Sequence, residues 1–204
     1  MNSLMCDDVG AVILCGGQSR RMGSAKAWLP FGDEVLLQRV VRLVSQNVIE
    51  IVVVAAHDQD VPALPSAVKI VRDSVSDRGP LQGLAAGFAA LSNQSVFVFA
   101  SATDVPFLAP MWIPFLREKI GDHSLVIPFS QGYHHPLAAL YRPSVVAPAI
   151  ERLLREDRLR PFFLIEAVKT IEVCEDELRR LDPDLKTLQN LNTPDDYARA
   201  LEQP

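Results

Sequence analysis

Short runs of β-branched and other apolar residues recur through the first hundred positions, and each is followed by a segment with helical spacing. Residues 10–15, 51–55, 68–71 and 96–100 read as buried strands, because apolar side chains follow one another without polar alternation. Between the first two, Leu36, Leu37, Val40, Val41 and Val44 fall on one helical face. After the third, Leu81, Leu84, Ala85, Phe88 and Leu91 do the same, and Pro80 suits the first turn, where its missing N–H has no partner to lose. A strand that alternates with a helix implies crossover connections and parallel pairing. The expectation is an α/β, Rossmann-like three-layer fold with a mostly parallel central sheet.

The second half is less regular. Residues 125–128 and 137–141 read as further strands. Ser144 is expected to cap a helix carrying Val145, Ala149, Ile150, Leu153 and Leu154, and Thr193-Pro194-Asp195-Asp196 to start a last short helix. No internal repeat, low-complexity tract or linker divides the 204 residues, so one domain spanning 1–204 is expected. A chain of this length, 49% hydrophobic and 22% charged, can bury a core without staples and has no reason to be disordered. Its 20 Lys and Arg against 25 Asp and Glu leave a net charge of -5 with no basic run, which argues against nucleic-acid binding. A small anion can still be bound where a few cations converge.

Cys6, Cys15 and Cys174 are odd in number and far apart, so neither a disulfide framework nor a Cys-x-x-Cys metal pair is expected. Met1–Asp8 lacks the basic start and apolar core of a signal peptide, and residues 9–15 and 96–102 are too short to span a bilayer. A reducing, cytoplasmic setting without membrane attachment follows as the expectation.

In an open α/β sheet, ligands lie at the carboxyl ends of the strands. The first such end reads Leu14-Cys15-Gly16-Gly17-Gln18-Ser19-Arg20-Arg21-Met22-Gly23-Ser24-Ala25-Lys26. Its glycines let backbone N–H groups approach phosphate oxygens, and Arg20, Arg21 and Lys26 supply compensating charge. The spacing matches neither the Walker loop nor the dinucleotide fingerprint. The string instead resembles the signature Leu-x-Gly-Gly-x-Ser-x-Arg-Met-Gly-x-x-Lys of sugar and cofactor nucleotidyltransferases. The Gly16-Gly17 pair looks most like the molybdenum cofactor guanylyltransferase branch.

Further segments extend the resemblance in order along the chain. Asp73-Ser74 follows the third strand. Gly79-Pro80-Leu81-Gln82-Gly83 opens the next helix, where glycines expose N–H donors. Thr103-Asp104-Val105-Pro106 follows the fourth strand and puts a carboxylate where a hard cation beside phosphates requires one. Gly132-Tyr133-His134-His135-Pro136 precedes another strand. Adjacent side chains on a strand point to opposite faces, so the two histidines are not read as a zinc site. Asn190-Leu191-Asn192-Thr193-Pro194 closes the series. Two departures stand out: Ala25 where the family has Asp before the loop lysine, and Ala55 where it often has Asn. The Ala102-Thr103 pair before Asp104 also differs from the family, with little expected consequence.

The resemblance implies the nucleotide-diphospho-sugar transferase type of fold and transfer of GMP from GTP to molybdopterin or molybdenum cofactor, with release of pyrophosphate. It assigns catalysis to Asp104, Lys26 and Arg21, with Asp104 holding Mg2+. Nucleotide contacts fall to Leu14, Cys15, Gly16, Gly17, Gly23, Lys26, Asp73, Gly79, Pro80, Leu81, Gly83 and Asp104. Acceptor contacts fall to His135, Pro136, Asn190 and Asn192. Proteins that deliver the acceptor or receive the product are further possible partners. Two other readings remain open at this point: a cytidylyl- or sugar-1-phosphate nucleotidyltransferase, and a degenerate nucleotide-binding module.

Overall fold

A computed structural model describes residues 5–16, 25–73 and 78–203. The strands in chain order are β1 (Cys6–Leu14), β2 (Pro30–Phe31), β3 (Glu34–Val35), β4 (Val48–Ala56), β5 (Val68–Asp73), β6 (Phe97–Ala102), β7 (Leu125–Ser130), β8 (Tyr133–His134), β9 (Leu140–Tyr141) and β10 (Thr170–Val173). The α-helices are α1 (Leu36–Val44), α2 (Gly79–Ala90), α3 (Trp112–Lys119), α4 (Pro143–Arg155), α5 (Phe162–Ala167), α6 (Glu175–Leu178) and α7 (Pro194–Leu201). The main sheet runs β10-β7-β9-β6-β1-β4-β5, with β8 paired to β7, while β2 and β3 form a small separate hairpin.

β1 pairs parallel with both β4 and β6, β4 with β5, and β7 with β10. Only β9 enters the main path antiparallel, between β6 and β7. Successive side chains of a strand face opposite ways, and β1 shows the consequence. Val9, Ala11, Ile13 and Cys15 join a core with α1, α3 and α6, whereas Val12 and Leu14 join a core with α2, α4 and α5. The result is the expected three-layer α/β fold. Among the described residues, no helix is long and apolar enough to cross a membrane. No disulfide joins Cys6, Cys15 and Cys174.

α1 buries the five residues marked by its periodicity: Leu36, Leu37, Val40, Val41 and Val44. Each such side chain contributes roughly 1.5–3 kcal/mol when withdrawn from water. Other expectations need correction. β5 is an edge strand rather than a buried one, with Lys69, Ile70 and Arg72 exposed, because only β4 flanks it. The segment expected as a strand over 137–141 is a one-turn 3-10 helix, Pro136–Ala138, followed by the two residues of β9. Pro136 lacks the N–H that a ladder would use. Ser144 does not cap α4: Arg142 holds that position and Pro143 is the first helical residue. The buried face of α4 uses Val146 in place of Val145, which is exposed.

Candidate active site

From β1 the chain moves outward through β4 to β5, then returns to the opposite side of β1 at β6. β1 and β6 therefore flank the switch point of the sheet, and a doubly wound sheet places its ligand crevice at the carboxyl ends of such strands. The two ends are tied together beneath it. The Thr103 N–H and Oγ1 both donate to the Leu14 carbonyl, at 3.1 and 3.3 Å. The Cys15 N–H donates to the Val54 carbonyl at 2.8 Å. Gly16 follows at the surface, where a Cβ would come within 3.4 Å of the Ala56 nitrogen.

Lys26 begins a one-turn 3-10 helix, Lys26–Trp28. Its Nζ lies 2.7 Å from Asp104 Oδ2 and donates to Asn192 Oδ1 at 3.0 Å. Three segments that are far apart in sequence thus meet on one ammonium group. The Lys26 and Asp104 side chains are 21% and 16% exposed, so the pair is shielded from bulk water yet open to a ligand. The carboxyl-terminal segment is held there from below. The Leu191 N–H donates to the Asp104 carbonyl at 3.0 Å, and the fully buried Leu191 side chain packs with Phe31, Leu36 and Ala200. Thr193 then caps α7: its Oγ1 accepts from the Asp196 N–H at 3.1 Å, while Asp196 Oδ2 accepts from the Thr193 and Asn192 N–H groups. This reciprocal arrangement fixes the angle at which Asn192 leaves the helix.

The other expected nucleotide residues divide between ligand-accessible backbone and core. Leu14 and Leu81 turn their side chains into the core, so they can meet a ligand only through main chain. Cys15 is buried, its Sγ accepting from Gln59 Nε2 at 3.3 Å. Burial pushes this thiol above its ordinary value against the hydrogen bonds of Thr103 and Gln59, which makes it a packed thiol rather than a nucleophile. Gly79 begins α2 with φ +74, a conformation that glycine adopts without strain. Pro80 stands in the first turn, as expected. Gly83 lies directly over Leu14, where a Cβ would sit 3.0 Å from Leu14 Cδ2. It therefore brings α2 against the sheet. Asp73 ends β5 beside Ala56. Gly17, Arg20, Arg21, Gly23 and Ser74 lie outside the described residues.

In the segment expected to meet the acceptor, His134 and His135 have different partners. His134 Nε2 is 2.9 Å from Glu172 Oε1, and His135 Nε2 is 3.0 Å from Ser130 Oγ. Burial, reinforced by the charge of His134, holds the His135 imidazole below its ordinary value, against the hydrogen bond of Ser130. The Pro136 carbonyl accepts from the buried Tyr141 hydroxyl at 2.7 Å. The 3-10 turn then returns the chain beside β6, where the Ala100 N–H donates to Ala139. Asn190 is exposed next to the docked Leu191.

Three residues at this edge escaped the reading of the sequence. Thr103, expected to matter little, is the buried tie between β1 and β6. Gln59 Nε2 donates to the Cys15 carbonyl at 2.9 Å and its Oε1 accepts from the Ala56 N–H at 3.2 Å. Arg72 Nη1 donates to the Ala56 carbonyl at 3.2 Å and to the Gln59 carbonyl. The available signal was position: Gln59 follows β4 and Arg72 is the last residue but one of β5, both at the carboxyl edge.

A doubly wound sheet with a glycine after its first strand, and a cation facing a carboxylate at its switch point, has the architecture of an α/β nucleotide-binding protein. The sequence pattern of the MobA-like NTP transferase domain matches residues 11–170, and the chain belongs to that family. A Methanosarcina mazei protein named "Probable molybdenum cofactor guanylyltransferase" is 32% identical over 199 residues, which cover 91% of this chain and 87% of that one. The crystal structure of molybdopterin-guanine dinucleotide biosynthesis protein A from Archaeoglobus fulgidus aligns with a TM-score of 0.77 at 23% identity, covering 95% and 97% of the two chains. That of a Mycobacterium tuberculosis protein in complex with manganese aligns with a TM-score of 0.62 at 17% identity, covering 97% and 100%. The two structural likenesses concern the fold, which is of the nucleotide-diphospho-sugar transferase type.

Proposed function

We propose that this chain transfers GMP from GTP to the terminal phosphate of molybdopterin, free or carrying its metal, and releases pyrophosphate. One nucleotidyltransferase domain spanning residues 1–204 carries the activity, in a reducing cytoplasm, with magnesium as the divalent ion. The observation that supports this best is the convergence of Lys26, Asp104 and Asn192 at the switch point.

The donor chemistry suits magnesium. Asp104 offers a hard carboxylate, and among the described residues no group of three or more His, Cys, Asp or Glu could hold a metal. Magnesium is commonly held by one or two carboxylates together with substrate phosphates and water, without a protein cage. When bound to Asp104, magnesium draws charge from the reacting phosphates.

The chain's own groups do the rest by position and charge. An oxygen of the acceptor phosphate forms a bond to the α-phosphorus of GTP. The bond from that phosphorus to the bridging oxygen breaks, and its electron pair leaves with pyrophosphate. Phosphate oxygens are already ionised near neutrality, so no general base is required. Lys26, with Arg21 and the amides of Gly16, Gly17 and Gly23, stabilises the charge that grows on the leaving group. Leu14, Cys15, Gly79, Pro80, Leu81 and Gly83 frame the nucleotide through main chain, and Asp73 supports its ribose or the metal. Asn192 orients Lys26, and with Asn190, His135 and Pro136 borders the acceptor. Proteins that deliver the acceptor or take the product complete the partners.

Asp104→Ala tests this reading. It should lower magnesium-dependent pyrophosphate release by at least about a hundredfold while the thermal transition persists, because electrostatic groups at the reacting phosphates carry effects of that size. Retained magnesium-dependent turnover in the variant refutes the assignment.

A further inference from the structure

The loop after β4 is tied down by Gln59 and Arg72, and the ties leave one group unspent. Gln59 occupies the Cys15 carbonyl and the Ala56 N–H. Arg72 Nη1 occupies the carbonyls of Ala56 and Gln59. The main-chain polar atoms that border Gly16 on this flank are thereby engaged, and Ala55 and Ala56 bring no polar side chain. On the opposite flank, Lys26, Asp104 and Asn192 are joined across the β6 side of the crevice. Gly16 lies against Ala56, so a nucleobase that extends from phosphates at Gly16 toward the β4–β5 side would meet the side chains of Gln59 and Arg72 that hold Ala56.

Arg72 is exposed near the end of β5. Its Nε and Nη2 make no hydrogen bond to a described residue, and it has no ion-pair partner among the described residues. A guanidinium held through Nη1 presents Nε–H and Nη2–H side by side as a rigid two-donor edge. Guanine carries two adjacent acceptors, O6 and N7, which suit such an edge; adenine sets an N6 donor beside N7 and repels it.

We infer that Arg72 is the guanine-selecting residue, donating from Nε and Nη2 to O6 and N7 of GTP. The inference rests on the guanylyl reading above and adds to it the residue that chooses the base. Calorimetric titration in magnesium of wild type, Arg72→Ala and Arg72→Lys with GTP, ATP, CTP and 7-deaza-GTP tests it. The last compound carries carbon in place of N7. Wild type should bind GTP roughly tenfold or more tighter than 7-deaza-GTP, the scale of a lost bidentate contact. In Arg72→Ala the two should bind alike and the preference over ATP should shrink. Arg72→Lys should restore affinity without restoring the discrimination. Equal binding of GTP and 7-deaza-GTP by wild type overturns the inference without recourse to any variant. So does an undiminished ratio in a folded Arg72→Ala. Wild-type preference for CTP or ATP over GTP is a distinct outcome, because it removes the guanylyl reading itself and the inference with it.

Discussion

Helix α2 touches the sheet at Gly83 and Gly87, and adding one methyl group at each should have unequal effects. A Cβ on Gly87 would lie 2.4 Å from Val12 Cγ1 and 2.7 Å from Cγ2. Val12 is fully buried at the centre of the sheet and β-branched, so it has no free rotamer into which to retreat. The helix itself would have to move outward, loosening its contacts with β1 and β4. Overpacking of this kind costs up to about 3 kcal/mol, offset by about 1 kcal/mol from the better helix propensity of alanine. The net destabilisation is then about 2 kcal/mol, or a fall of roughly 4–8 °C in Tm for a chain of this size. At Gly83 the nearest atom is Leu14 Cδ2 at 3.0 Å, the far end of a flexible side chain. The overpacking there should be small enough for the propensity gain to cancel it, leaving Tm within about 2 °C of wild type. Because Leu14 lies directly before Cys15 and Gly16, the displaced side chain should instead weaken nucleotide binding several-fold. Thermal unfolding of Gly83→Ala and Gly87→Ala, with GTP titration of both, makes the comparison. A Gly87→Ala protein as stable as wild type would show that α2 does not rest on Val12, and the argument would fail.

Other substitutions probe the site and its supports. Lys26→Ala should lower kcat/KM for pyrophosphate release by roughly a hundred- to a thousandfold, the scale of one electrostatic group lost from a reacting centre. Asn192→Ala, which removes the single hydrogen bond from Lys26 to Asn192, should cost roughly ten- to a hundredfold, since a bond to a charged group contributes about 1.5–3 kcal/mol. Thr193→Ala removes the cap of α7 and should destabilise by about 1 kcal/mol, read as a shift in denaturant midpoint. The His135 imidazole is held down in the folded state. As pH falls through the ordinary value near 6.5, the unfolded chain therefore takes up a proton first, and stability is lost on the acid side. His135→Gln should shrink the loss of Tm between pH 8 and pH 5.5, and an unchanged loss would remove His135 as its source.

The layering of this protein was legible in its sequence, because periodicity reports which side of an element meets water. The faces of α1 and α2, the parallel strands at residues 10–15, 51–55 and 96–100, and the capped start of α7 all follow from local spacing and turn chemistry. Local spacing is silent about neighbours. It could not show that β5 lies on the edge, since a run such as Val68-Lys69-Ile70-Val71 has the same composition whether one strand flanks it or two. Val146 rather than Val145 faces the core because it continues the i, i+3, i+4, i+7 spacing of Ala149, Ile150 and Leu153, a phase that the sequence carries. The residues expected at the site were likewise found by their order along the chain. Order alone could not bring Lys26, Asp104 and Asn192 onto one ammonium group across 166 positions. That convergence is decided by the reversal of strand order at β1 and by the burial of Leu191. Gln59 and Arg72 carry no motif, Thr103 stood out only as a departure from the family's, and only the packing of three strand ends turns them into ties across the carboxyl edge of the sheet.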